Sequence, residues 1–138
     1  MRPVSHLSLA VVVVVAWSSL SASAAPAEKP VEPSLSTGYR FIETTGEDLF
    51  ASACQGCHMP TGNGAVGAGT YPALAKDGNL EAKGYPVTVV VRGQRGMPPV
   101  GALMSDDQVA TVVNYVRTHF GNQYGDAVTA EDVKAVRP

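Results

Sequence analysis

Apolar residues recur at three- and four-residue spacing most clearly at Val109, Val112, Val113 and Val116, the stripe of a helix with one buried face. Ser105 stands ahead of this run as a cap, and Gln108 three residues on completes a capping box. Gly121, just after Phe120, is expected to end the helix. An earlier helix is expected over residues 46–53, with Glu47 and Asp48 in its first turn, where the helix dipole favours negative charge. Phe50 lies four residues before Cys54, so the two share a face. Residues 59–68 are rich in glycine, with Pro60 and Asn63, and read as a loop. Tyr71, Pro72, Ala73 and Leu74 interrupt it with apolar groups. Residues 85–92 are in conflict: the β-branched run favours a strand, whereas Pro86 suits a first helical position, and propensity alone predicts the strand. Residues 93–101 are irregular by composition, and residues 122–138 carry a weak helical stretch over 130–136. No internal repeat is visible.

The first segment has a different pattern. Arg2, a mostly apolar stretch around Val11 to Val15, and Ala22-Ser23-Ala24 together read as a secretory signal over residues 1–24. Cleavage after Ala24 avoids placing Pro26 directly after the cut. A retained anchor is the alternative, but the apolar run falls short of the ~20 residues needed to span a bilayer, so membrane association is expected only if the segment stays uncleaved. Residues 25–37, with three prolines and no apolar periodicity, are expected to form a flexible tether, and residues 38–138 the domain. Export to the periplasm follows as an expectation. The remaining chain is small for an unaided core, so a covalently held cofactor would help fill it.

Charge changes the picture little. The formal net charge of the 138-residue chain is −2, with no basic stripe of the kind nucleic-acid binding needs. The two cysteines matter more. They sit three apart in Cys54-Gln55-Gly56-Cys57 with His58 directly after, where a disulfide would close a tiny loop and constrain almost nothing.

Cys-x-x-Cys-His has a mechanical logic. Two thiols about one helical turn apart can add to the two vinyl groups of one haem, and the adjacent histidine is then held under the iron as proximal ligand. A thioredoxin-like pair would want alternating strands and helices, and a zinc site a second pair of ligands; neither pattern is present. For the opposite iron face, Met59 is too near His58. Met97, between Gly96 and Pro98, and Met104, which is more simply a packing residue, remain, as does an open or histidine-ligated iron.

With these motifs in place, residues 46–120 resemble a class I cytochrome c. The resemblance implies an all-α fold of three to five helices wrapped around one covalent haem c per chain. It implies that Gly46 and Phe50 on the first helix cross Val112 and Tyr115 on the last. It also implies that the Pro72 carbonyl accepts the second N–H of His58, that Leu74 packs on the haem, and that Met97, in its Met-Pro pair, is the distal iron ligand. It replaces the strand over 87–92 by a short helix. Phe50, Leu74, Leu80, residues 87–91, Leu103 and Met104 are the expected pocket walls. Residues 114–122 are similar to a bacterial subgroup that serves as cytochrome subunits or electron acceptors of periplasmic dehydrogenases. The function implied is therefore one-electron transfer, not catalysis, from a dehydrogenase toward a terminal oxidase or another cytochrome. An open-site enzyme or a peroxide- or gas-binding sensor is the competing class, and an obligate subunit whose residues after 122 dock a dehydrogenase is a third reading. Lys76, Lys83, Arg92 and Arg95 are the only basic residues expected near the haem edge, and as a group would steer an acidic partner weakly.

Overall fold

Five helices and one very short hairpin make up the described part of the chain, residues 40–138 of a computed structural model. The expected signal and tether, residues 1–37, lie outside the described residues. Helix α1, Gly46–Ala53, starts where Thr45 Oγ1 accepts the Asp48 N–H at 3.1 Å, and α2, Gln55–His58, follows directly after Cys54. Strands β1, Ala65–Val66, and β2, Thr70–Tyr71, pair antiparallel with Ala65 opposite Tyr71. Then come α3, Gly84–Arg92, α4, Asp106–Thr118, and α5, Ala130–Val136, with 3-10 turns at Gly78–Leu80 and Val100–Leu103. Among the described residues, no helix is long and apolar enough to cross a membrane.

The core forms where α1, α3 and α5 meet α4. Val109, Val112, Val113 and Val116 are all buried, as their spacing requires, together with Leu49, Phe50, Leu80, Val87, Val91, Val128 and Val133. A buried valine contributes about 1.5–3 kcal/mol, so this stripe alone anchors α4. The crossing of α1 on α4 depends on Gly46. A Cβ there would lie 2.4 Å from Tyr115 Cβ, closer than side-chain carbons approach, and 3.0 Å from Thr111 O. Phe50, one turn along, packs on Tyr115 and Phe120 at ring separations of 5.8 and 4.8 Å.

Residues 85–92 form a helix, as the resemblance implies for 87–92, rather than the strand that propensity alone favours. Val87 and Val91, one turn apart, are both buried, and Pro86 falls in the first turn, where its missing N–H costs no helical bond. Packing overrides the local preference. Helix α4 stops at Thr118, before Phe120 and Gly121. Thr118 Oγ1 donates to Asn114 O at 2.8 Å, and His119 Nδ1 donates to Tyr115 O at 2.8 Å, the carbonyl that the backbone N–H of residue 119 would take if the helix ran on. The glycine-rich loop holds the β1–β2 hairpin, which its composition hides.

The residues after 122 wrap their own domain. Val128 and Val133 are buried in the core, and α5 packs on α3 and α4. The weak helical stretch over 130–136 is α5 itself, closed by a capping box in which Thr129 and Asp132 exchange hydrogen bonds.

Candidate functional site

Cys54 ends α1, its N–H bonded to Phe50 O at 2.9 Å, and the chain at once turns through α2. Cys57 and His58 both donate their N–H groups to Cys54 O, at 3.1 and 2.9 Å. Residues three apart on a helical turn present their side chains to one side. The two thiols are not bridged; Cys54 is half-buried and Cys57 exposed. Burial pushes the Cys54 thiol up to about 12, with the neighbouring Cys57 adding to the effect. A thiol kept neutral in this way is the opposite of the acidic nucleophile of a thioredoxin-like pair.

His58 is buried, and its Nδ1 lies 2.9 Å from Pro72 O. A carbonyl can only accept, so Nδ1 carries the proton and Nε2 keeps its lone pair. Among the described residues Nε2 has no hydrogen-bond partner, yet no buried side-chain nitrogen or oxygen is left unpartnered, so Nε2 faces open space. Two unbridged thiols a turn apart and an oriented imidazole with a free outer nitrogen fit a haem.

The Pro72 carbonyl is held from several directions. Gly64 has φ +66°, and a Cβ there would lie 2.2 Å from Tyr71 O and 2.7 Å from Pro72 C, so only glycine lets the two stretches of loop touch. Gly64 N–H donates to His58 O at 3.0 Å, and the Leu74 and Ala75 N–H groups both donate to Gly62 O. Leu74 packs against the core, and its carbonyl accepts from Asn122 Nδ2 at 2.8 Å. The structure thus brings His58 and Pro72 together, with Leu74 two residues on packed against the core.

Met97 lies on the loop between α3 and the 3-10 turn at Val100–Leu103. Gln94 and Met97 exchange both backbone hydrogen bonds, at 3.0 and 2.9 Å, around a tight turn with Arg95 at φ 53°, and Met97 is half-buried. Met104 is buried among the core side chains and Leu103 is exposed. Leu80, Val87 and Val91 are core residues, and Val90 lies at the core's edge.

Sequence reasoning missed three residues that hold this arrangement. Arg117 is fully buried. Its Nε donates to Leu80 O at 2.9 Å, its Nη2 to Glu81 O at 3.0 Å, and it is hydrogen-bonded to the Asp126 backbone and paired with the Asp126 carboxylate. Its position four after Val113, on the apolar stripe, was a signal that this charge points inward. Asn122, also buried, bonds Leu74 O, Val116 O and the Asp77 N–H. Arg137 bonds Gly101 O, Met104 O and Asp106. No periodicity marks either of these two.

Two of the four basic residues have partners. Lys83 is paired with Asp132 at 2.8 Å and Arg92 Nε donates to Val136 O at 2.8 Å. Among the described residues, Lys76 and Arg95 have no ion pair. Hydrogen bonding to Arg117 lowers the Asp126 carboxyl below its ordinary value, and hydrogen bonding to Lys83 does the same for Asp132.

Comparison with known proteins points to cytochromes. The chain is 31% identical over 109 residues to the fructose dehydrogenase cytochrome subunit of Gluconobacter japonicus, covering 68% of this chain and 22% of that subunit. It is 30% identical over 105 residues to the gluconate 2-dehydrogenase cytochrome c subunit of Pantoea cypripedii, covering 67% and 24%. It therefore spans only about a quarter or less of the length of these subunits. Cytochrome c-552 of Thermus thermophilus is 28% identical over 123 residues, covering 72% of this chain and 79% of that protein. The family model described as cytochrome C oxidase, cbb3-type, subunit III matches residues 43–116, just over half of the chain and the part that contains Cys54, Cys57, His58 and Met97. The chain belongs to this family and is a class I c-type cytochrome, a haem-bearing electron-transfer domain.

Proposed function

We propose that the protein is a one-electron carrier of the periplasm, with a single haem c joined covalently to Cys54 and Cys57, His58 Nε2 as proximal iron ligand and Met97 as distal ligand. The observation that carries the reading is the 2.9 Å contact between His58 Nδ1 and Pro72 O, which leaves Nε2 free as a donor. The haem supplies a reversible one-electron change at constant ligation. The chain's part is to hold and shield. The Pro72 carbonyl keeps the His58 ring in one tautomer and one orientation, and raises its basicity. Leu74 packs beside that loop, and the aromatic packing of Phe50 on Tyr115 and Phe120 stiffens the helix from which Cys54 emerges. No side chain is required to make or break a substrate bond.

The donor is a dehydrogenase, a reading supported by the cytochrome subunits of fructose and gluconate 2-dehydrogenases among the relatives. The acceptor is a terminal oxidase or another cytochrome. Residues 1–24 serve as a cleaved export signal and residues 25–37 as a tether.

The test is the visible spectrum and mass of protein made in a host that matures c-type haem. A mass increase of one haem that survives denaturation, lost when both cysteines become alanine, is expected. So is a weak ferric sulfur-to-iron band at the red end of the visible, abolished by reduction and by Met97→Ala. A high-spin spectrum that shifts with carbon monoxide would refute the carrier and assign an open-site enzyme or sensor. The secreted fraction is expected to begin at Ala25; protein found only in the cytoplasm would refute export.

A further inference from the structure

The loop that carries Met97, residues 93–99, has two stems, and both are tied to the same two adjacent residues. At the α3 end, Arg92 Nε donates to Val136 O at 2.8 Å. At the other end, Arg137 Nη1 donates to Gly101 O at 2.9 Å and Nη2 to Met104 O at 2.8 Å, so one guanidinium spans the 3-10 turn that receives the loop. Its Nε donates to Asp106 Oδ1 at 2.6 Å, in the first turn of α4. A planar guanidinium that meets three fixed acceptors is a rigid brace in a way that a lysine is not. The stems also touch each other: a Cβ on Gly101 would lie 2.9 Å from Val90 O, so the 3-10 turn rests directly on the last turn of α3.

We propose that Val136 and Arg137 form a clasp across the two stems of the Met97 loop, with Arg137 as a positioning residue that sets how readily Met97 leaves the iron. The proposal rests on Met97 as distal ligand. Opening the loop requires its stems to separate, and the clasp bonds both. Loss of Arg137 lowers the cost of opening without touching His58, Pro72 or the cysteines. In ligand exchange the Met97 sulfur–iron bond breaks and an added imidazole nitrogen takes its place, with no electron transferred.

The experiment is an imidazole titration of the ferric holoprotein, followed through the Met97-dependent band, for wild type and for Arg137→Ala, Arg92→Gln and Lys83→Ala. Lys83→Ala removes the ion pair between the residue preceding α3 and Asp132 of α5, away from both stems, so it reports what loosening α5 alone does. Arg137→Ala and Arg92→Gln are expected to bind imidazole at least about fivefold more tightly than wild type, and Lys83→Ala within about twofold. Arg137→Lys, which keeps a charge for Asp106 but not the fork, is expected to fall between, and serves if the alanine variant does not mature. Equal affinities for wild type and Arg137→Ala, or an equal gain in Lys83→Ala, would overturn the clasp. A band that survives Met97→Ala would instead remove the ligation on which the clasp rests, so the two failures are told apart.

Discussion

Gly64→Ala tests the link between loop packing and the electronic state of the site. The new methyl would sit 2.2 Å from Tyr71 O and 2.7 Å from Pro72 C, more than 1 Å short of van der Waals contact on the first. Both neighbours are backbone, so no side chain can rotate out of the way, and the alanine would also have to keep φ near +66°. The left-handed conformation and the overpacking together cost about 2–5 kcal/mol. Relief must come from moving Pro72 away, and a shift of about 1 Å takes its carbonyl beyond hydrogen-bond reach of His58 Nδ1, now 2.9 Å distant. Without that acceptor His58 is a poorer electron donor, ferric iron is less well stabilised, and the midpoint potential rises. A net hydrogen-bond contribution of about 0.5–1.5 kcal/mol sets the ceiling at about 20–60 mV for one electron. Urea unfolding and a spectroelectrochemical titration of the holoprotein measure the two effects. A variant destabilised as expected but with an unchanged potential would refute the coupling through Pro72. A variant as stable as wild type would refute the close approach itself.

Other substitutions probe the supports. Arg117→Met removes a buried guanidinium and leaves Leu80 O and Glu81 O without their donor, whereas the exposed Asp126 carboxylate rehydrates, so a stability loss of about 2–5 kcal/mol in urea is expected. Gly46→Ala forces α1 off Tyr115 and is expected to cost about 1–3 kcal/mol with little change in the visible spectrum. Asp126 and Asp132 are held below their ordinary 3.8 in the folded protein. The stability they contribute is therefore complete above that value and is lost as pH falls through their folded values. Unfolding midpoints are expected to drop as pH is lowered from about 4, and the drop should be shallower in Asp126→Asn.

What the sequence disclosed divides along a physical line. Features written in neighbouring residues were legible: the α1 boundaries, the Ser105–Gln108 box, the stripe of α4, and the Cys-x-x-Cys-His unit, whose chemistry needs five consecutive positions. Residues 85–92 were ambiguous because β-branched residues prefer a strand locally while the core asks for Val87 and Val91 on one helical face. The links made by Asn122 and Arg137 were invisible because their partners are backbone carbonyls at Leu74, Val116, Gly101 and Met104, and every residue has a carbonyl. Arg117 was half legible, since it continues the spacing of Val109 and Val113.

Arg117, Asn122 and Arg137 each reach backward along the chain. Leu80 O is met by Arg117, Leu74 O by Asn122, and Gly101 O by Arg137, across separations of 37, 48 and 36 positions. Gly46 finds its seat only on Tyr115. A chain emerging from the ribosome thus presents Cys54, Cys57 and His58 well before Arg117, Asn122 and Arg137 exist. Contacts this distant in sequence form late because the loop entropy must be met first. The thiols accordingly stay reachable until these late contacts form, and the order of residues along the polypeptide sets the order in which the site closes.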